Sequence, residues 1–439
     1  VRQHVGGPRG GELLGPVVAA DLGEDVDGGR HIQCRAVPVE IRTVATKKEL
    51  DAFIKLPWTL YANEEMWVPP LISELRRHLD RDRNPFFEHA EAEYFLAFRD
   101  GRLVGRISAH TDRNFNEFQG NDWGLFGFFE CEDDQEAADA LLGTAKAWLT
   151  ERDRDRMVGP MNFTTNDECG LLVDGFEYAP SILTPWTHRY YPALLERAGF
   201  TKAMDVQMWE LWNLEGGRDS VMPVLWELAD QVESKHGIVC RYMKKKDIQA
   251  EVERFLEVYN AAWERNWGFV PLTDDEVRAY AKDLKPILDE HWAMIAERKD
   301  TGEVVGAALT LPDFNQALAA VGNGRLLPFG IFKLLRAQRK IDKVRVFALG
   351  VKKAYQHAGV AAKLYEMHFD AAARTPQTGG EMGWILETNI PMNRGMEAMG
   401  GQVVKRYRMY ERLLEPGAEP AYPADAKVWR PSREIAPAS

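Results

Sequence analysis

The chain has 439 residues, of which 45% are hydrophobic and 28% charged, a length that one ordinary hydrophobic core does not absorb and that predicts two folded domains. Its formal net charge of −12 at pH 7 argues against a broad phosphate-tracking surface, so no nucleic acid is expected as partner. The four cysteines, Cys34, Cys131, Cys169 and Cys240, are far apart and form no Cys-x-x-Cys pair; they read as reduced thiols of a cytoplasmic protein, with no local metal knuckle.

Residues 1–38 are rich in glycine and charge, lack the apolar run of a signal peptide, and read as a disordered or misassigned leader. The span 39–214 forms a first domain. In it, Tyr94–Phe98 and Leu103–Ala109 flank an Asp100-Gly101 turn, the pattern of a β-hairpin. A strand over Trp123–Cys131 follows, then Glu132-Asp-Asp-Gln-Glu136, an acidic helix start that would repel phosphate.

Next comes a long polar segment, Val158-Gly-Pro-Met-Asn-Phe-Thr-Thr-Asn-Asp-Glu-Cys-Gly-Leu-Leu-Val-Asp-Gly-Phe176, and then Tyr190-Tyr-Pro-Ala-Leu-Leu-Glu-Arg-Ala-Gly-Phe200. Polar loops on rigid scaffolds often carry function. Trp209–Leu214 closes this domain, and 215–237, opening with Glu215-Gly-Gly-Arg-Asp219, serves as linker and helix.

The second domain, 238–415, repeats the order. Trp292–Ala296 and Val304–Leu311 make another hairpin around a turn ending in Gly302, which predicts a tandem duplication. Between this hairpin and the next strand lies the segment 325–345. There Leu327, Ile331, Leu334 and Leu335 share a helix face while Lys333, Arg336, Arg339 and Lys340 lie largely elsewhere. A basic amphipathic helix in an acidic chain suits either peripheral contact with the inner membrane leaflet, docking on the core with a solvated basic rim, or lining of an acyl tunnel.

The strand Val344–Val351 then runs into Gln356-His357-Ala358-Gly359-Val360-Ala361, with a helix from about Ala361 to Ala373. A small-residue turn at a helix N-terminus presents backbone N–H groups and the positive end of the helix dipole, a docking place for phosphate or pyrophosphate. A phosphate-bearing cofactor is therefore predicted. Gly383–Asn389 reads as the next strand, Met392–Met399 as a short helix closed by Gly400 and Gly401, and Gln402–Leu413 as the last strand; 416–439 is an irregular tail.

The Gln-x-x-Gly-x-Ala turn after an apolar strand resembles the pyrophosphate loop of the acyl-CoA N-acyltransferase (GNAT) superfamily, with Ala361 where glycine is more usual. Together with the 158–176 loop and the 190–200 segment, it resembles a tandem-GNAT family that includes the bacterial ceramide synthases, over about Val39–Leu414. The resemblance implies an α/β fold with mixed sheets made of two fused GNAT domains. The first would be degenerate and shape an acceptor pocket, and the second would bind acyl-CoA as co-substrate without a metal. Leu349, Gly350 and Val351 would pair with the pantetheine arm through their backbone, Gln356 to Ala361 would hold the pyrophosphate, and Asn389 and Asn393 would lie against the arm.

The implied reaction is transfer of a long-chain acyl group to the amine of a sphingoid base, by direct attack and without a covalent enzyme intermediate. It needs a proton acceptor, a donor for the carbonyl oxygen and an acid for the thiolate. Glu387, Asp167 and Glu168 are candidate bases, though each could equally brace a loop; His188 and Tyr191 could relay a proton. Tyr407 and Tyr410 fit packing better, and Cys169, without an evident histidine partner, is structural. An acetyl-CoA-dependent enzyme for a small polar amine or protein, and a non-catalytic acyl-CoA-binding module, are the alternatives.

Overall fold

The computed structural model describes residues 38–212, 221, 223–422 and 425–431. The leader before residue 38, the linker at 215–219 and the end of the tail lie outside the described residues, which all belong to one compact unit. In chain order the first half holds β1 (Glu40–Thr43), α1 (Lys47–Leu60), α2 (Ile72–His78), β2 (Ala90–Arg99), β3 (Arg102–Asp112), α3 (Arg113–Gln119), β4 (Trp123–Cys131), α4 (Gln135–Thr150), β5 (Arg156–Gly159), β6 (Leu171–Asp174), α5 (Tyr191–Arg197) and β7 (Thr201–Trp212).

The second half holds α6 (Pro223–His236), β8 (Ile238–Tyr242), α7 (Ile248–Trp263), α8 (Asp274–Leu284), β9 (Ala293–Arg298), β10 (Val304–Pro312), α9 (Asn315–Val321) and α10 (Gly330–Gln338). It ends with β11 (Lys343–Val351), α11 (Val360–Ala372), β12 (Gly379–Leu386), α12 (Ile390–Ala398) and β13 (Gln402–Leu413).

Local chemistry sets these boundaries. Asp100 and Gly101 take positive φ values of 52° and 73°, the twist that a tight hairpin turn requires between β2 and β3. Thr46 and Glu49 form a reciprocal capping box that starts α1. Along β10, Ala307, Leu309 and Leu311 pack with Phe255 and Tyr259 of α7, while Val305 and Ala308 pack with Val360 and Leu364 of α11. Helices thus cover both faces of the strand, which is why its sequence is apolar almost throughout.

The two halves share one mixed sheet, ordered β1-β2-β3-β4-β5-β13-β7-β12-β11-β10-β9-β8, with β6 pairing alongside β13. The final strand predicted from sequence is present, but it belongs among the first-half strands: Tyr410 of β13 pairs with Gly159 of β5, and Tyr407 with Val206 of β7. In turn β7 pairs with β12 of the second half, Glu210 opposite Glu381. Each repeat gives its last strand to the other.

A buried ion pair lies at this exchange. Lys405 Nζ of β13 contacts Glu381 Oε1 of β12 at 2.6 Å and donates to the Ala179 carbonyl at 2.7 Å, with side chains 0% and 3% exposed. Cys131 and Cys169 are buried free thiols and Cys240 is a partly buried one.

Candidate active site

Parallel pairing of β11 with β12 runs from Lys343 opposite Gly379 to Val346 opposite Met382 and stops there. The cause is a pair of irregularities. The β10–β11 register shifts between Leu309 and Thr310, leaving Phe347 as an extra residue, and the β12–β7 register shifts between Met382 and Ile385, leaving Gly383 and Trp384. Such bulges bend a strand and re-aim its side chains. Past Val346 the strands therefore diverge, and a cavity of about 460 Å³ fills the wedge.

Leu349, Gly350 and Val351 line the wedge, and their antiparallel ladder to β10 leaves the β12-facing edge without strand partners. The approach on the other face is tight: a side chain at Gly350 would meet the Trp263 ring of α7 at 2.3 Å. The edge can thus offer backbone donors and acceptors to an extended chain.

Gln356 and Ala361, where α11 begins, and Asn389, at the N-cap of α12, also line the wedge. Gly359 stands at the N-cap with φ +75° and ψ 7°, and no side chain caps the helix. The first-turn N–H groups remain available for an anion, and the left-handed backbone there suits glycine. A Cβ on Gly359 would also meet the Leu228 carbonyl oxygen of α6 at 2.7 Å. Ala358 and Val360 are buried under the turn, whereas His357 is exposed and meets the His236 ring edge-on at 6.0 Å.

The inner arm of the cavity is apolar. Trp292, Val344 and Ala372 lie at one side and Met392 and Met396 of α12, with Met399 at its C-cap, at another, a methionine set whose unbranched chains adapt to an aliphatic guest. Three polar groups border it. His368 Nε2 meets the Thr310 hydroxyl at 2.8 Å and Nδ1 meets the Leu364 carbonyl at 2.7 Å. Burial pushes that imidazole down to about 4, so it is neutral at physiological pH. The Tyr365 hydroxyl donates to Met392 Sδ at 3.3 Å, and burial pushes its pKa up to about 12. Trp384 lines the wedge, and its Nε1, sealed from water, has no hydrogen-bond partner among the described residues.

The polar residues singled out from sequence lie in three other places. Asp167 accepts from the Tyr280 hydroxyl at 2.9 Å and the Thr164 hydroxyl at 3.1 Å, and Glu168 accepts from Asn162 Nδ2 at 3.3 Å. Burial raises both carboxyl pKa values. Their neighbour Asn166 borders a small apolar cavity that shares Phe347 with the wedge, so the loop approaches the cleft from the α7 face.

His188 stacks on Tyr61 with ring centroids 4.4 Å apart, its Nδ1 is 3.3 Å from Glu64, and burial lowers its pKa. Tyr191 is fully buried and donates to Glu130 at 2.7 Å. Neither lines the wedge.

Glu387 is 4% exposed and lies in an ion pair with Lys202 at 2.7 Å while also accepting the Asp205 backbone N–H at 3.2 Å. That is the bracing arrangement, at the edge of β7 and away from the cleft lining. Asn393 is likewise committed. It accepts from Trp209 Nε1 at 2.9 Å and donates to the Leu386 and Asn389 carbonyls at 2.9 and 3.0 Å, so it supports α12 from behind. Asn389 reaches the lining while capping Met392 N–H. Trp384, Trp292, the bulged Phe347 and the methionines at 392, 396 and 399 were not singled out as site residues from sequence; the methionine spacing is the signal that could have marked one wall.

The chain matches no protein-family model. Its fold is that of tandem GNAT N-acetyltransferases: the tandem GNAT protein from the clavulanic acid biosynthesis pathway superposes with a TM-score of 0.52 over 87% of this chain and 100% of that one, at 14% identity. A GCN5-related glucosamine N-acetyltransferase region of a fungal multi-domain protein gives 0.51 over 86% of this chain and 38% of the other, at 11% identity.

At the level of sequence, Protein YghO of Escherichia coli K12 is 35% identical over 382 residues, 85% of this chain and 95% of its own. The bacterial ceramide synthase of Caulobacter vibrioides is 36% identical over 378 residues, 84% and 96%. The chain belongs to the family of these two proteins, and it is an acyl-CoA-dependent N-acyltransferase.

Proposed function

We propose that the protein transfers a long-chain acyl group from acyl-CoA to the amine of a sphingoid base, working at the inner face of a membrane where both lipids can be reached. The observation that carries the long-chain reading is the apolar inner arm of the wedge, which continues past the β11 edge to Trp292, Val344 and Ala372. A cleft for a short acyl group would not need it. The 36% identical Caulobacter relative supports the sphingoid base as acceptor.

In this reading the uncapped first turn of α11 and the Gly359 backbone hold the pyrophosphate, and the β11 edge at Leu349, Gly350 and Val351 aligns the pantetheine amides as an added strand would. When bound, acyl-CoA supplies an activated thioester carbonyl. Backbone N–H groups near Leu349 and Val351 donate toward the carbonyl oxygen, an interaction that strengthens as negative charge develops there.

The acceptor is placed on the side of the cleft that the 160–170 loop approaches, where Phe347 is shared by the two cavities. Its nitrogen must be neutral to attack; Glu168, or Asp167, outside the cleft lining, takes the proton through water, which their raised pKa values favour. The new C–N bond forms as the C–S bond breaks, and the departing thiolate takes a proton. Tyr365, a phenol that stays protonated and lines the cleft, is the assigned donor.

The test is thiol release from acyl-CoAs of acetyl to C18 length, with a sphingoid base or a short polar amine as acceptor and mass spectrometry of the product. An N-acyl sphingoid base formed with long-chain donors, and lost in Glu168→Gln, is expected. Turnover confined to acetyl-CoA and polar amines overturns the lipid reading and favours a small-amine acetyltransferase. CoA binding without any turnover favours a binding module.

A further inference from the structure

The α10 region carries a cluster of outward-facing apolar groups. Leu327, Phe329, Phe332 and Leu335 are 79%, 71%, 68% and 53% exposed. The other exposed large hydrophobics among the described residues, Phe118, Val224, Leu228, Leu413 and Val428, lie elsewhere, and none exceeds 49%. Soluble surfaces rarely gather such groups without a use.

The face predicted from sequence differs from the one observed. Leu334 points inward, 6% exposed among Leu71, Leu318, Val321 and Ile341, and Ile331 is partly covered beside it. The helix is thus fastened to α9 along one side. Phe329, Phe332 and Leu335, at three-residue spacing, occupy the opposite side, with Leu327 just before the helix.

Charge completes the surface. Between residues 325 and 340 there are five basic residues, Arg325, Lys333, Arg336, Arg339 and Lys340, and no acidic one, in a chain of net charge −12. All five are exposed, and none makes an ion pair within the described residues. An apolar protein partner would not need unpaired cations around its seat, whereas an anionic bilayer meets both halves of the pattern.

The location fits as well. Arg339 and Lys340 lead through Ile341 and Asp342 into β11, and the Asp342 carbonyl accepts the Thr378 N–H at 3.1 Å. Thr378 lines the inner, apolar end of the wedge.

We propose that the outer face of α10 docks the protein on an anionic phospholipid surface, with Leu327, Phe329, Phe332 and Leu335 entering the boundary between headgroups and acyl chains and the five cations meeting lipid phosphates. This names the device behind the membrane contact in the proposed function, but it stands on the α10 surface alone. Only its bearing on lipid supply rests on the acyltransfer reading.

The test is flotation of the full chain, without CoA or amine, on vesicles of phosphatidylcholine and of phosphatidylcholine mixed with phosphatidylglycerol. Binding to the mixed vesicles, weakened by salt, is expected. Phe329→Ser/Phe332→Ser should lower it about tenfold or more, and Lys333→Gln/Arg336→Gln should reduce the preference for anionic lipid. Thermal melting should be unchanged in both variants, because the altered side chains are exposed.

No binding of the unaltered chain to anionic vesicles overturns the proposal, as does binding indifferent to both variants. Concentration-dependent self-association in sedimentation, abolished by Phe329→Ser/Phe332→Ser while vesicle binding persists, overturns it in favour of a protein interface. Since no substrate is present, failure here is distinct from failure of the acyltransferase assay.

Discussion

The backbone N–H of Cys131 donates to the Tyr191 hydroxyl at 3.2 Å, and the Cys131 carbonyl receives the Tyr190 hydroxyl at 2.8 Å. Cys131 ends β4 in the first repeat as Val351 ends β11 in the second, where the strand edge opens on the wedge. The helix that follows differs in the same sense: Asp134 caps the Ala137 N–H at 3.2 Å, while Gly359 leaves α11 uncapped. In the first repeat, side chains thus take the positions that correspond to the open strand edge and uncapped helix turn of the second. Calorimetric titration with an acyl-CoA should therefore give one equivalent per chain; two equivalents would show that Tyr190, Tyr191 and Asp134 do not block the first repeat.

Gly359→Ala tests the anion end. The new methyl must sit at φ +75° and 2.7 Å from the Leu228 carbonyl, so the turn or α6 has to shift. The strained backbone should cost about 1–2 kcal/mol of stability. The KM for acyl-CoA should rise at least about tenfold as the N–H groups lose their aim. Unchanged KM with a lowered melting temperature would confine Gly359 to a structural role.

Ala372→Phe tests the apolar arm. Ala372 lines its inner end, so a ring there occupies space that only a long acyl chain would use. The kcat/KM for C16 and C18 donors should fall about tenfold or more relative to acetyl-CoA, a difference of about 1.4 kcal/mol or more in transition-state binding. Equal losses for all donor lengths would place the acyl chain elsewhere.

Lys405→Met tests the seam between repeats. It leaves the Glu381 carboxylate, 3% exposed on its side chain, without its counter-charge and should cost about 3–5 kcal/mol in urea unfolding. Adding Glu381→Leu should recover most of that loss. A single variant of unaltered stability would mean that Arg345 or water compensates the charge.

The histidines set opposite pH limits. Burial holds His110 and His368 at about 4, below the ordinary imidazole value near 6.5, so their unfolded forms bind protons first. Their contribution is full above about pH 6.5 and is lost as pH falls toward 4. Burial opposes charge on His89 too, but Asp112 at 2.8 Å and Glu276 at 3.5 Å outweigh it and raise its pKa to about 9. That contribution is full below about 6.5 and is lost as pH rises through 9. Melting temperatures should decline on both sides of neutrality, and His89→Gln should flatten the alkaline side alone.

Strand, glycine turn and helix at 343–372 were legible because each signal is local: a β-branched run, a small-residue turn and helical spacing in succession. The hairpins at Gly101 and Gly302 were legible for the same reason. The rest depends on partners far along the chain. Glu387 looks like a strand-end base until Lys202 and the Asp205 backbone arrive to neutralise it. Val346-Phe-Ala-Leu349 reads as regular strand, and only the pairing with β10 makes Phe347 a bulge. Leu334 shares a helical period with Leu327, but α9 covers the former and leaves the latter in solvent.

The pairing of Gly159 with Tyr410 also has a temporal meaning. During synthesis β5 emerges early, yet the strand that must lie beside it is β13, the last of the described strands. Until then β5 and β7 both present bare edges, the kind of edge that invites wrong partners. Neither repeat can be excised at the linker as a self-sufficient half, and a ribosome stalled after the first repeat would hold an open sheet in need of a chaperone.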